Sequence, residues 1–598
     1  MIVFGAALAI RLIYLVLFRQ TVMWDAMMVD AGLYDSWGMR IAGGDWIGDK
    51  VFYDPPLYAY FLGVAYKLFG HDYIAVRIIQ VFIGSAHCVV VLYLAERILD
   101  RRAGIAAGLI ASLYGPLVFY DALLMKAFLS GMLVDCALLV LLAGIRSGRP
   151  RWWFLHGIIL GFASLLRVNL MAFVWVEALF FAAVIVAGKW ESGRRKALCA
   201  ALVWAVGVCA VVAPVMLRNF HVSGSPVLVS SYLGQNFYTG NNEFNSSDNY
   251  QRLSFVRANP KYEESDFHDE AAARLGVKKL EPKQVSDYWL RQGLLYIRAQ
   301  PWDFAKRLTK RFRIFWNAYE VPDSYNFGFM SRHLMPVLRY LPGFGIIAPL
   351  GLLGITLTLR RRRELWPFYV FILLYCSSVI VFFVFSRYRM PVVGSLSAFA
   401  GAAIISLWDL RSNRKKLLMG AALLVPLAVF VNLPPEYLVP DSSPLRNLGT
   451  LYQMRGDADT AIDYYRKSVE SNPNEFESRY FMAHTLRQNG EYYEAIKQYS
   501  EALRIKPGDP NALAGIGMCH DAMGNDEAAY KYYVETIKTN MNLSEIRIKL
   551  IELLLRNDKL DEAFREIFAL QTLDKTNPES ERLYNELKRK RASNAGKN

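Results

Sequence analysis

Residues 2–18, 72–98, 103–120, 126–145, 153–168, 170–188 and 197–216 are runs almost free of charge. After a long polar insertion the same holds for 341–359, 365–386, 390–408 and 416–433. A chain crosses the roughly 30 Å hydrocarbon core only if each peptide group is bonded within its own segment, so runs of this length read as helices. The expected fold class is an α-helical polytopic membrane protein with about eleven transmembrane helices. The first run has neither a basic flank nor a small-residue cleavage site and is expected to be retained as a span.

The net charge of +15 would suit nucleic acid if it were spread over a polar surface. Instead the basic residues gather in ERILDRRA (96–103), RSGRPRW (146–152), KWESGRRKA (189–197), RRRRE (360–364) and DLRSNRKKL (409–417). With alternating spans these all fall on one side, which is the cytoplasmic one, and no nucleic-acid partner is expected. The other, external side receives the loops 19–71 and 217–340, the turn at Asp121, the SRYR segment (386–389) and everything after 433. That side is periplasmic, extracellular or luminal, with a bacterial inner membrane and its periplasm as the expected setting. The domains divide as 1–433 membrane-embedded, 434–444 linker, 445–580 external repeats and 581–598 basic tail. Five of the six cysteines lie in apolar runs and Cys519 stands alone, which leaves no disulfide framework or zinc spacing.

The repeats declare themselves by phase. Leu448, Met482, Ile516 and Leu550 are 34 residues apart, as are Gly449, Ala483 and Gly517, and Gly456, Gly490 and Gly524. Ala461, Ala495, Ala529 and Ala563 coincide too, with Tyr465, Tyr499 and Tyr533, and Pro473 with Pro507. This is the tetratricopeptide (TPR) pattern, an α-solenoid in which small residues let paired helices approach and aromatics fill the next layer. A fourth repeat has Asp558 at the turn glycine and Ile567 at the aromatic position, as a degenerate or capping unit does. Such arrays ordinarily bind a peptide or protein partner.

A charge at mid-span costs about 2.5–3.5 kcal/mol on insertion scales, so each one needs a partner or a purpose. YDALLMKA (120–127) keeps Asp121 and Lys126 between two apolar runs, and SRYR sets Arg387 and Arg389 at the external start of another. His87 and Asp135, both mid-span, read as packed internal partners. Lys306, Arg307, Lys310, Arg311 and Arg313 form a basic run on the side where such runs are uncommon, which reads as an interfacial helix meeting phosphate headgroups or the donor. In the first external loop Asp25, Asp30, Asp35, Asp45, Asp49 and Asp54 alternate with Trp24, Tyr34, Trp37, Trp46 and Tyr53. Carboxylates accept from sugar hydroxyls and flat rings stack on sugar C–H faces; the same mixture also suits an interfacial belt without chemistry.

DAGLY (30–34), IAGGDWI (41–47) and FYDPPLYAYFLGV (52–64), placed after a first span, resemble the first external loop of the GT-C glycosyltransferases, polytopic enzymes that use lipid-linked sugar donors. Within that superfamily the chain looks most like the family 39-type bacterial enzymes. The resemblance continues through YDALLMKA, LRVNL (166–170), GQNFYTGNNE (234–243), FWNAYEVPDS (315–324) and FSRYRMPV (385–392), and so covers most of the first 400 residues. Its order is more specific than any single motif. With the TPRs the layout is similar to the transmembrane-and-TPR O-mannosyltransferases of animals, in architecture only.

The resemblance implies inverting transfer of a hexosyl or pentosyl unit from a polyprenyl-phosphate donor to a protein or glycan acceptor on the external face, with the TPRs recruiting the acceptor or a protein partner. The acceptor-side acid of the family falls on Asp30 as general base, with Asp25 and Asp35 as alternatives and simple hydrogen bonding as the plainer role. Arg387 and Arg389 suit the departing phosphate, joined by Lys126 and Arg167; snorkelling to headgroups is the plainer use of each. Asp121 is expected as a second carboxylate at the cleft, or paired with Lys126 alone. Tyr34, Tyr53, Asn236, Tyr238, Asn241, Asn242 and Glu320 are expected along the sugar and acceptor cleft, with Asp323 beside it, although NFYTGNN equally reads as a turn that stabilises its own loop. No metal ligands and no obligatory cofactor are expected; a divalent cation would sit between Asp30 and Asp121. The rival reading is a non-enzymatic membrane platform whose TPRs assemble partners for envelope or glycan biogenesis.

Overall fold

The computed structural model describes residues 1–188, 190, 193–257, 260–540, 543–573 and 577–595. Parts of the basic loop 189–197, of the repeat region and of the basic tail therefore lie outside the described residues. The chain divides into two compact units, Met1–Val439 and Pro440–Asn598.

The first half of the membrane unit runs through α1 (Ile2–Arg19), α2 (Asp30–Ala42), α3 (Leu57–Phe69), α4 (Tyr73–Ile98), α5 (Arg101–Leu113), α6 (Gly115–Asp121), α7 (Ala127–Ser147), α8 (Pro150–Leu166), α9 (Met171–Ala187) and α10 (Arg194–Ser223). Local chemistry sets the ends. Asp72 accepts from Ile74 N at 2.7 Å to start α4, and Asp100 accepts from Ala103 N at 2.8 Å to start α5. Between α5 and α6 the chain bends by 59°, because Tyr114 is extended and Pro116, in the first turn of α6, has no N–H to continue the ladder.

Seven helical stretches among the described residues are long and apolar enough to cross a membrane, or eight if the bent α5–α6 pair is one span. The count of about eleven is not established on this measure, and the shortfall has identifiable causes. α8 has 17 residues, at the lower edge of spanning length. α16 (Phe344–Thr358) and α17 (Arg362–Ile380) together form a single stretch, Pro336–Ile380, and α19 (Arg414–Val431) begins Arg-Lys-Lys. α18 (Met390–Asp409) is the most enclosed, with 78% of its apolar window buried.

Two ion pairs lie inside the bundle. Arg11 Nε donates to Asp121 Oδ2 at 2.6 Å, and His87 Nε2 lies 2.7 Å from Asp135 Oδ2. Both contacts need a glycine opposite: a Cβ at Gly84 would stand 2.2 Å from Asp121 Oδ2, and one at Gly394 would stand 1.6 Å from Asp135 Oδ2. Asp121 is thus held by α1 rather than by Lys126, a partner that the local sequence conceals because Arg11 is 110 positions away.

The insertion between α10 and α16 folds as α11 (Leu233–Gly240), α12 (Glu263–Leu275), α13 (Pro282–Ala299), α14 (Pro301–Trp316) and α15 (Phe327–His333). Its core joins Tyr238, Leu253, Phe267, Ala271, Val285 and Trp289. The basic run on α14 turns partly inward. Arg311 donates to the carbonyls of Gly240 and, at 2.9 Å, Asp248, while Arg307 donates to that of Asn242 at 3.0 Å. Lys310 pairs with Asp248 at 2.5 Å and Arg313 with Glu436. These four residues therefore satisfy loop carbonyls and carboxylates, and the expectation of a run held against phosphate headgroups is corrected to that extent.

The second unit is a row of helices: α20 (Ser442–Met454), α21 (Ala458–Ser471), α22 (Phe476–Gln488), α23 (Tyr492–Ile505), α24 (Pro510–Ala522), α25 (Asp526–Thr539), α26 (Ser544–Arg556), α27 (Leu560–Leu573) and α28 (Pro578–Ala595). Ala461, Ala495, Ala529 and Ala563 are fully enclosed, as are Tyr465 and Tyr533. The turn glycines Gly456, Gly490 and Gly524 have φ of 81°, 83° and 74°, and Asp558 takes the same left-handed place at φ 57°. The fourth repeat thus keeps the backbone after losing the signature.

Candidate active site

Six segments bring charge together, from α2, the loop that holds Asp54, the head of α7, the end of α8, the loop that holds Asp323 and the SRYR turn. Val29, a β-branched residue at the uncommon φ of 46°, turns the chain so that Asp30 leads α2. From the segment between α17 and α18, Arg387 reaches Asp30 with Nη1, 2.5 Å from Oδ2, and Asp323 with Nε. Its guanidinium therefore hydrogen-bonds one carboxylate and pairs by charge with a second, from elements far apart in sequence. Beside it, Lys126 at the head of α7 sits 2.7 and 2.9 Å from the two oxygens of Asp54, which also accepts from the Tyr34 hydroxyl. Arg167, where α8 ends, donates through Nη2 to the Arg387 carbonyl at 3.0 Å, and its guanidinium lies 5.1 Å from the centre of the Tyr388 ring.

The site's electrostatics separate its acids. Burial alone would raise Asp30, but Arg387, then Lys126 and a bond from Ser324, outweigh it and hold the carboxyl below its ordinary value. Burial pushes Asp323 up to about 6, against Arg387 and with the Asp30 charge adding to the rise. Burial, and then Asp30, push Glu263 at the start of α12 up to about 7. One carboxylate is thus kept ionised beside two that take up protons near neutrality, a division of labour suited to accepting and passing on a proton.

Of the residues singled out in the sequence, Asp30, Arg387, Lys126, Arg167 and Tyr34 come together here. Tyr53 stands at the margin, its ring 5.8 Å from that of Tyr232. The others are bonded elsewhere. Asp35 accepts from the hydroxyls of Tyr66 (2.6 Å) and Tyr73 (3.1 Å) and lies 2.8 Å from His71, tying α2 to α3 and α4. Asp25 is exposed, with Arg77 and Tyr73 as neighbours. Arg389 is 1% exposed and donates to the carbonyls of Asn317 (2.5 Å) and Tyr319 (3.2 Å) and to the Glu320 carboxylate (2.6 Å). Arg389 and Glu320 are therefore a structural pair. Asn241 donates to the Phe237 and Val381 carbonyls and Asn242 to those of Tyr238 and Thr239, while Tyr238 is core, so the NFYTGNN segment is scaffold. Asn236 is half-buried on α11. Asp121, held by Arg11, leaves no second carboxylate there, and Asp54, Asp323 and Glu263 supply that charge instead. Asp54 was visible inside FYDPP; Glu263 reads as an ordinary acidic helix start. Among the described residues no three His, Cys, Asp or Glu side chains are placed to hold a metal ion.

A helical bundle with a buried acid–guanidinium cluster at one end, joined to a helical-repeat unit, fits a membrane glycosyltransferase fused to TPRs. Residues 53–217 match the family described as dolichyl-phosphate-mannose-protein mannosyltransferase, and residues 447–475 and 483–524 match TPR families. Asp54, Lys126 and Arg167 lie inside the stretch that matches the mannosyltransferase family. Similar curated proteins include the Superkiller complex protein 3 of Mus musculus, 36% identical over 78 residues, 13% of this chain and 5% of that one. The CTR9 homolog of Arabidopsis thaliana is 27% identical over 116 residues, 19% of this chain and 11% of its own. The chain thus spans only about a tenth or less of these first relatives. Among solved structures, the TPR protein YrrB is 18% identical at a TM-score of 0.22, over 25% of this chain and 84% of its own, and MamA is 16% identical at 0.22, over 26% and 94%.

Proposed function

We propose that the membrane unit transfers a sugar, with inversion, from a polyprenyl-phosphate carrier to an acceptor on the external face, and that the TPR unit recruits a protein acceptor or partner. The observation that carries this reading is the guanidinium of Arg387 between Asp30 and Asp323, flanked by Lys126 and Arg167. Asp30 is kept ionised and takes the proton of the attacking acceptor hydroxyl. Arg387, Lys126 and Arg167 receive the negative charge that develops on the departing phosphate oxygen as the anomeric C–O bond breaks. Side-chain cations meet that charge, and no divalent ion is assigned a step. Because each cation in the site already faces a carboxylate or carbonyl, phosphate enters by exchange, which releases Asp30 from Arg387 when the donor is bound. The matched family description supports mannose as the sugar and protein as the acceptor. The test is the purified full chain in proteoliposomes given polyprenyl-phosphate-mannose and an external protein extract. Transfer of hexose to protein, read by mass spectrometry, is expected; no transfer of any sugar from a panel of polyprenyl-phosphate donors would overturn the reading.

A further inference from the structure

The segment that closes the membrane unit does not simply lead away from it. After α19 ends, Val431 O accepts from Ala318 N at 2.7 Å and Leu433 O accepts from the Asn317 side chain at 2.8 Å. Glu436 pairs with Arg313, the Tyr437 hydroxyl donates to Tyr250 O at 3.4 Å, and Val439 N donates to the Tyr319 hydroxyl at 3.2 Å. Asn432 anchors the start of this segment on Gly345 O at 2.9 Å. Pro434 and Pro435 lie in the middle, where their fixed φ keeps it stiff.

The other edge of the same loop faces the site. Arg389 clasps the carbonyls of Phe315, Asn317 and Tyr319, and Ser386 N donates to Val321 O at 3.0 Å. Two residues past Val321 is Asp323, and next to Ser386 is Arg387, which pair with each other. Residues 315–321 are therefore gripped between 431–439 on one edge and the SRYR turn on the other. A plain connector needs neither edge: it would be met by solvent and would not carry two prolines against a loop whose far side holds a buried arginine.

We propose that residues 431–439 are a positioning strap for the active site, fixing the loop 315–321 and through it the placement of Asp323 and Arg387. None of the strap's own residues touches substrate. The activity arm of the test rests on the function proposed above; the exchange arm does not. In the full chain in nanodiscs, Pro434→Gly with Pro435→Gly softens the strap and substitutes no site residue. Amide exchange at 316–323 and 386–388 is expected to speed up by about tenfold or more, and kcat to fall about tenfold with donor KM changed by less than about threefold, as a displacement somewhat under about 1 Å would give. The acid limb of the rate profile is expected to move to higher pH, because Arg387 holds Asp30 less closely. A second variant, Glu436→Gln, is expected to move both readouts the same way by a smaller factor. Faster exchange confined to 431–439, with kcat within twofold, would overturn the strap. Faster exchange at 316–323 and 386–388 in a chain that transfers no sugar even before substitution would uphold the strap and remove the proposed reaction.

Discussion

Asp30→Asn tests the reaction at its centre. Asparagine keeps the side-chain shape and a bond to Arg387 but cannot take a proton, so the loss is that of a general base: about 10²- to 10⁴-fold in kcat, or roughly 3–5 kcal/mol of barrier. The neighbouring groups sharpen the expectation. Asp30's charge helps to raise Asp323 to about 6 and Glu263 to about 7, so both carboxyls should titrate at lower pH in the variant. Arg387 loses one of its two carboxylates and keeps Asp323, which leaves Nη1 more available to phosphate; donor KM should stay level or fall while kcat collapses. The assay is steady-state transfer by the full chain in proteoliposomes, with carboxyl infrared difference spectra recorded against pH. Transfer within threefold of the unsubstituted chain, or a large rise in donor KM at unchanged kcat, would refute Asp30 as the base.

Arg387→Lys keeps the charge but lacks the planar guanidinium that meets both carboxylates, and it should raise donor KM at least about tenfold in the same assay. Glu263→Gln should flatten the pH dependence of thermal stability. The folded-state value of about 7 lies above the ordinary 4.5, so between these the folded chain binds a proton that the unfolded chain lacks, and stability falls as pH rises through that window. Scanning calorimetry from pH 5 to 8 should show that decline in the unsubstituted chain and a smaller one in the variant. Deleting Pro440–Asn598 should preserve donor hydrolysis while reducing transfer to protein acceptors, measured by released and transferred labelled sugar.

The two architectures were legible in sequence for different reasons. The TPR phase is local, so Ala461, Ala495, Ala529 and Ala563 announce a shared packing position without any knowledge of partners. Apolar runs announce membrane helices, but α8, at 17 residues, shows that their number turns on a residue or two. At the site, Asp30 stands out only through the resemblance of DAGLY to the first external loop of GT-C enzymes, whereas Lys126, Arg167 and Arg387 stand out because charge beside a span is costly. Arg389 stands out for the same reason and in fact binds carbonyls, since sequence does not say which way a guanidinium two residues from another points. Asn241 and Asn242 were hidden likewise: an amide that caps its own turn is spelled like one that binds a sugar. Glu263 was missed because its raised value comes from burial beside Asp30, a neighbour more than two hundred positions away.

The pairing of Arg11 with Asp121 has a consequence for how the chain is made. The two residues are 110 positions apart, so at about 5–20 residues per second α1 waits roughly 5–20 s in or near the membrane with a bare guanidinium before its counter-ion is synthesised. A lone charge at that depth costs about 2.5–3.5 kcal/mol, enough to make early insertion of α1 reversible. α1 is then committed only after α4 and α5 have been made, and the arrival of the bent α5–α6 pair is the event that locks it into the bilayer.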